Sequence, residues 1–94
     1  MTKADLVTRI SKSTHVDETE VLLIVESFMA TLKDSLTKNE NVYLRGFGTF
    51  EVKHRAEKIA RNISQGTNLI VPAHNIPAFK PSKVFEDKID SAVK

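Results

Sequence analysis

One stretch, residues 45–83, constrains the fold more than any other part of the sequence. Its two ends carry phenylalanines, whereas its middle carries cations and few large apolar side chains. From Lys53 to Ile63 the pattern suits an extended strand, which would span about 34 Å. A strand of that length with so little to bury cannot pack on a chain of 94 residues. We therefore expect a two-stranded β-arm, about residues 53–75, that projects from a small base.

Helix signals flank this stretch on both sides. Thr2 and Asp5 form a capping-box pattern for a first helix, which we expect to end within Ser11–His15. Asp17 is the expected N-cap of a second helix, in which apolar residues recur every three or four positions. Ser82 is the expected N-cap of a short C-terminal helix. The sequence predicts one α+β domain over residues 1–94.

The base is too small to enclose all of its aromatic side chains. A short strand at Val42–Arg45 and a turn with positive φ at Gly46 and Gly48 lead into the arm. The chain has five phenylalanines, and a base of roughly 70 residues is marginal as a core on its own. We expect an obligate dimer that buries several phenylalanines at a two-fold interface. The residues predicted to form the dimer core are Phe28, Phe47, Phe50 and Phe79.

Positive charge is concentrated in one part of the chain, although the net charge is only +2. Residues 45–83 hold seven Lys and Arg residues against two Glu. Residues 1–44 hold five cations against seven acids, and residues 84–94 hold two against three. Cations at two-residue spacing on a strand can neutralise successive phosphates. The alternative interpretation is an ordinary solvated strand face.

Catalysis and metal binding find little support in the sequence. The chain has no cysteine, no nucleophile elbow, no phosphate-cradling glycine loop and no His-Glu-x-x-His pattern. His54 and His74 could face each other across the arm, but two imidazoles without a third ligand make a poor metal site. The longest apolar run, Val21–Val25, is far too short for a membrane span. We expect no enzyme activity, no cofactor, no metal and no membrane partner, and a cytoplasmic location.

Nucleic-acid binding is the function that fits these features. A β-ribbon is narrow enough to lie in a groove, and the sequence has no base-reading helix, so direct sequence readout should be weak. Ile63 is apolar and has nothing in its own arm to pack on; it is either a stray exposed isoleucine or a wedge between base pairs. The alternatives are structured RNA or damaged DNA as the main ligand, and a protein-interaction scaffold whose arm pairs with a partner strand.

Several motifs together resemble one known family. They are Gly46-Phe47-Gly48-Thr49-Phe50, His54-Arg55-Ala56-Glu57, Arg61-Asn62, and Asn75-Ile76-Pro77-Ala78-Phe79 followed by Lys83. The chain resembles the bacterial HU / integration host factor family of histone-like DNA-bending proteins over essentially its whole length. The resemblance implies an intertwined dimer, with itself or with a paralogue, in which a helical base carries a short antiparallel sheet saddle and two arms.

The same resemblance implies a location at the nucleoid and a role for each cation. The arms would wrap the minor groove and bend or compact double-stranded DNA, with bent, nicked or distorted DNA preferred. Cations of the arm would contact the backbone or groove, and those outside it would contact the flanks. Ile63 occupies the position at which the family usually has an intercalating proline. The expected DNA-binding residues are Arg45, Lys53, Arg55, Lys58, Arg61, Asn62, Ile63, Lys80 and Lys83.

Overall fold

The computed structural model describes residues 1–62 and 67–93, with side chains for residues 1–59 and 69–93. The chain divides into two compact units, Met1–Ser35 and Leu36–Lys94. Three helices and antiparallel sheets confirm the expected α+β class. The elements in chain order are α1 (Lys3–Thr14), α2 (Glu18–Thr37), β1 (Val42–Leu44), β2 (Gly48–Arg55), β3 (Lys58–Asn62), β4 (Thr67–Val71), β5 (His74–Pro81) and α3 (Lys83–Ala92).

The first two helices begin where their capping residues predict. The Asp5 amide donates to the Thr2 hydroxyl at 3.2 Å, and the Thr2 amide donates to the Asp5 carboxylate at 2.9 Å. This reciprocal pair is the expected capping box, and it satisfies two amides that a helix start otherwise leaves free. α2 begins directly after Asp17, whose carbonyl accepts from the Val21 amide at 3.0 Å.

α1 ends within the predicted segment, at Thr14. His15 takes a left-handed conformation with φ 60° and ψ 30°, which turns the chain out of the helix. The hydroxyls of Ser13 and Thr14 donate to the Ile10 carbonyl, so these short polar side chains are accommodated in the last turn. In this unit the buried apolar side chains are Val7 on α1 and Val21 on α2.

In the second unit, one antiparallel register runs through two ribbons. β1, β2 and β5 form a three-stranded sheet in that order, and β3 pairs with β4 alone. We call the β2–β5 pair the inner ribbon and the β3–β4 pair the outer ribbon. The inner ribbon ends with Arg55 opposite His74, and the outer ribbon starts with Lys58 opposite Val71. Because both strands advance by the same number of residues, no residue is inserted between the two ladders.

The single extended strand predicted from Lys53 onward is wrong in one detail, because the outgoing side of the arm is interrupted. Strand pairing stops at Ala56 and Glu57, and on the returning side it stops at Pro72 and Ala73. Pro72 has no amide hydrogen to donate, so the ladder loses a hydrogen bond at that level. The arm therefore consists of two short ribbons in one register, with an interruption that proline explains.

The two glycines of the β1–β2 turn are needed for different reasons. Gly46 has φ 81°, as expected for a tight turn, and a Cβ there would meet nothing within 4 Å. Gly48 is buried and has no positive φ, which corrects the expectation for it. A Cβ on Gly48 would lie 2.6 Å from the Lys80 carbonyl oxygen and 2.6 Å from the Phe79 ring. Gly48 is therefore required by close packing against β5.

Four phenylalanines form an aromatic cluster on one face of the sheet and beside α3. Phe50 and Phe79 are cross-strand partners with ring centroids 4.8 Å apart. Phe47 lies 5.1 Å from Phe79 and stacks on Phe85 at 5.4 Å. Phe47 is still 44% exposed and Phe79 is 38% exposed, so the cluster is only partly covered by its own chain. Phe28, on α2 in the first unit, is 48% exposed.

Candidate nucleic-acid interface

The sheet has two chemically different faces. Side chains alternate along a strand, and directly paired residues share a face. Phe50, with its partner Phe79, therefore lies on one face together with Val52. Thr49 and Lys53 lie on the opposite face with their own partners. The aromatic cluster covers the first face, which leaves the second face for solvent or for a ligand.

Three predicted DNA-binding cations meet on this second face, which we call the cation face. Lys80 pairs with Thr49, Lys53 pairs with Ile76, and Arg55 pairs with His74. All three cations are exposed. Positions two apart on a strand are about 7 Å apart, which is close to the spacing of phosphates along one DNA strand. Lys53 and Arg55 thus form two successive charges that a polyanion can contact, and Lys80 lies further along the same face, beyond Glu51.

A shallow depression joins the turn of the sheet to the start of α3. Lys80 on β5 lines it together with two further cations, Arg45 in the β1–β2 turn and Lys83 at the first position of α3. The Ser82 amide donates to the Phe47 carbonyl at 2.9 Å, which fixes the helix start to the turn. The fold thus brings together residues that lie almost forty positions apart in the sequence.

Lys83 forms an ion pair with a neighbour on the same helix. Its ammonium lies 3.4 Å from the Asp87 carboxylate, one helical turn away. Both side chains are well exposed, at 85% and 64%, so the pair is weak and water competes for it. The Ser82 hydroxyl accepts from the Phe85 amide at 3.2 Å, which confirms Ser82 as the N-cap of α3.

Three of the remaining predicted site residues belong to the outer ribbon. Lys58 opens β3 and is exposed. Arg61 and Asn62 occupy ladder positions opposite Asn68 and Thr67, and their side chains lie outside the described part of the structure. Ile63 also lies outside the described residues, so its role as a wedge stays a prediction.

The two histidines of the arm do not face each other. His54 pairs with Asn75, and His74 pairs with Arg55, so the two imidazoles lie on opposite faces of the inner ribbon. His54 Nδ1 lies 2.9 Å from Asn75 Oδ1, and His74 Nδ1 donates to the Pro72 carbonyl at 2.9 Å. Within the described residues, no group of three or more His, Cys, Asp or Glu side chains is placed to hold a metal ion.

The structure adds three residues that the sequence did not assign to the site. His74 lies beside Arg55 on the cation face, and Tyr43, 74% exposed, shares that face through its pairing with Thr49. Phe85 completes the aromatic cluster. The register of the strands would have placed His74 and Tyr43 on the cation face. That register was not evident from the sequence, because it depends on the interruption at Pro72 and on the β1–β2 turn.

Among the described helices, none combines the length and apolar character needed to cross a membrane.

Comparisons with known proteins agree with this geometry. The model of the family described as "Bacterial DNA-binding protein" matches residues 1–90. The chain is 33% identical to integration host factor subunit beta of Neisseria meningitidis, over all of this chain and 96% of that protein. It is 36% identical to DNA-binding protein HU-alpha of Escherichia coli, over 95% of this chain and 99% of that protein.

Solved structures give the same result at the level of the fold. The chain superposes on Anabaena HU from a cocrystal structure with DNA with a TM-score of 0.88, at 26% identity and with full coverage of both chains. It superposes on HU from Thermotoga maritima with a TM-score of 0.67, at 27% identity, over 95% of this chain and 98% of that one. The chain belongs to the bacterial DNA-binding protein family, which includes HU and integration host factor.

Proposed function

We propose that this protein is a non-enzymatic architectural protein that holds double-stranded DNA against its sheet and arms and bends it with little sequence readout. The observation that carries the proposal is the division of the sheet into two faces. Lys53, Arg55 and Lys80 lie together on the exposed face, and the aromatic cluster lies on the other. Membership of a DNA-binding family and the DNA cocrystal of the Anabaena relative support DNA as the ligand.

The electrostatic part of the proposal is independent of base sequence. Exposed cations neutralise phosphates and release the counterions condensed on DNA, and every sequence has the same phosphates. Amide and guanidinium contacts to base edges would add specificity, but the cation face offers them only at Arg55. We therefore propose contacts for Lys53, Arg55 and Lys80 on the cation face, for Lys58 on the outer ribbon, and for Arg45 and Lys83 at the flank.

We propose that two chains form the functional unit. The aromatic cluster is only partly covered, and Phe28 exposes nearly half of its surface on α2. A dimer that covers these rings would bury apolar area worth about 25 cal/mol per Å². A second copy of this chain and a paralogous subunit are both compatible with that surface. Sedimentation of the purified chain distinguishes them, because a homodimer forms without any added partner.

The outer ribbon is proposed to lie in the minor groove, with Arg61 and Asn62 near the bases and Ile63 as a wedge. Unstacking one base step costs a few kcal/mol, which is offset by the additional contacts that bent DNA allows. Ile63→Ala should therefore reduce the DNA bend more than it reduces affinity for straight DNA. The bend is measured by energy transfer between dyes at the two DNA ends. An unchanged bend in the variant would remove the wedge from the proposal.

The direct test of the function is a binding titration at several salt concentrations. Intact duplex, nicked duplex and structured RNA of equal length are compared by fluorescence anisotropy. We expect the association constant for DNA to fall steeply with salt and to be higher for the nicked duplex. Binding of RNA alone, or no salt-dependent binding to any probe, would contradict the proposal. In the cell, a fluorescent fusion should colocalise with the cytoplasmic nucleoid.

A further inference from the structure

The outer ribbon exposes an apolar pair that its own chain leaves uncovered. Ile59 on β3 and Ile70 on β4 are directly opposite each other in the ladder. Ile59 is 70% exposed and Ile70 is 67% exposed. Paired residues have Cβ atoms about 5 Å apart, so the two side chains form one continuous patch. A single exposed isoleucine needs no explanation, but a matched pair on a ribbon with no core does.

The register relates this pair to the cation face. Four positions separate Ile59 from Arg55 on the outgoing side, and four separate Ile70 from His74 on the returning side. The interruption between the ribbons has two residues on each side, so the pair keeps the register of Arg55 and His74. By strand alternation it occupies positions of the same parity as the residues of the cation face. The two successive charges of Lys53 and Arg55 are thus followed along the arm by an apolar pair.

We infer that the Ile59–Ile70 pair is a DNA-contacting patch that packs on the deoxyribose walls of the groove held by the cation face. The inference rests on the proposed function and extends it to a second kind of contact. Sugar C–H groups line the groove between the phosphates, and they are the apolar surface that a DNA duplex offers to a narrow ribbon. The cations align the ribbon with the phosphates, and the isoleucines then lose contact with water against the sugars.

The two kinds of contact differ in how they respond to salt. Neutralised phosphates set the slope of log affinity against log salt, at about −0.9 for each contact. Apolar burial releases no counterions, so it raises affinity equally at every salt concentration. The Ile59–Ile70 pair should therefore raise the affinity by the same factor at every salt concentration. It should leave the slope of log affinity against log salt unchanged.

The test compares the parent with Ile59→Thr/Ile70→Thr. Threonine is β-branched, so strand propensity is kept while the apolar patch becomes polar. We expect affinity for a duplex to fall by about tenfold at each of several salt concentrations, with the same slope. Val84→Thr is the matched control, because Val84 on α3 is 69% exposed and lies away from the arm. That control should bind as the parent does.

A second variant separates chemistry from folding. Ile59→Val/Ile70→Val keeps an apolar pair and should retain most of the affinity, and thermal unfolding of all variants should agree. Affinity equal to the parent in the threonine variant would overturn the inference, as would a fall in slope, which would show that the pair acts through the cations. Loss of self-association by sedimentation with unchanged DNA binding would assign the patch to a second copy of the chain. If the parent itself does not bind DNA, the proposed function fails instead.

Discussion

The inner and outer ribbons share one register but differ in what their faces can bury. The inner ribbon places Phe50 and Phe79 against the aromatic cluster, and one of its faces is therefore part of a core. The outer ribbon places Ile59 opposite Ile70, with both side chains about two-thirds exposed. The two ribbons have the same type of hydrogen-bonded ladder, but we expect them to differ in stability. A two-stranded ribbon is stabilised by burial of its side chains and not by the ladder alone. We expect the inner ribbon to supply stability through one face while its cation face stays available to DNA, and the outer ribbon to be the more adaptable part of the arm.

The largest expected effect on stability is that of a substitution at Gly48, in the inner ribbon. In Gly48→Ala the new Cβ would approach the Lys80 carbonyl oxygen and the Phe79 ring, and the backbone oxygen cannot move away without disrupting the ladder. We expect a loss of about 3 kcal/mol in the free energy of unfolding. The measurement is chemical denaturation followed by circular dichroism.

Gly46→Ala is the matched control in the same turn. Its new Cβ has open space, and the cost comes only from the positive φ of 81°, about 1 kcal/mol. Equal destabilisation by the two substitutions would show that packing against β5 is not the reason for Gly48.

Removal of arm cations is expected to change the free energy of unfolding less than Gly48→Ala does. It should nevertheless clearly weaken DNA binding. Arg55→Ala/Lys58→Ala/Arg61→Ala removes three charges from strand positions, of which Arg55 and Lys58 are exposed, and truncation to alanine adds no clash. We expect affinity for duplex DNA to fall by about a hundredfold near physiological salt, with the salt slope reduced by about three. Unfolding should change little. A large loss of stability with an unchanged slope would contradict the role of these cations as phosphate contacts.

The smallest effect on global stability is expected for a substitution of Pro72, at the interruption between the ribbons. Pro72→Ala supplies an amide opposite Glu57, so the two ladders could join without any change of register. We expect hydrogen exchange of the outer ribbon to slow, while global stability changes by no more than about 0.5 kcal/mol. Unchanged exchange in the outer ribbon would mean that Pro72 is not the cause of the interruption.

Much of this architecture follows from local signals in the sequence. Thr2 with Asp5 and Ser82 mark helix starts through caps that need only neighbouring residues, and these predictions are confirmed. The interruption at Ala56 and Glu57 and the packing role of Gly48 depend on which residue lies across the ladder. That information is non-local, so the sequence alone did not provide it. The same limit explains why the sequence left open that His54 and His74 face each other, although one register position places them on opposite faces.

The central claim is that DNA lies against the cation face of the inner ribbon. Neighbouring residues on opposite faces provide the most direct test, since Arg55 pairs with His74 on the cation face and His54 pairs with Asn75 on the other. Arg55→Gln and His54→Gln are compared with the parent in salt titrations of duplex binding, all at one mildly alkaline pH. We predict that Arg55→Gln reduces the salt slope by about one and that His54→Gln leaves it unchanged. Equal slopes for Arg55→Gln and the parent would contradict the account.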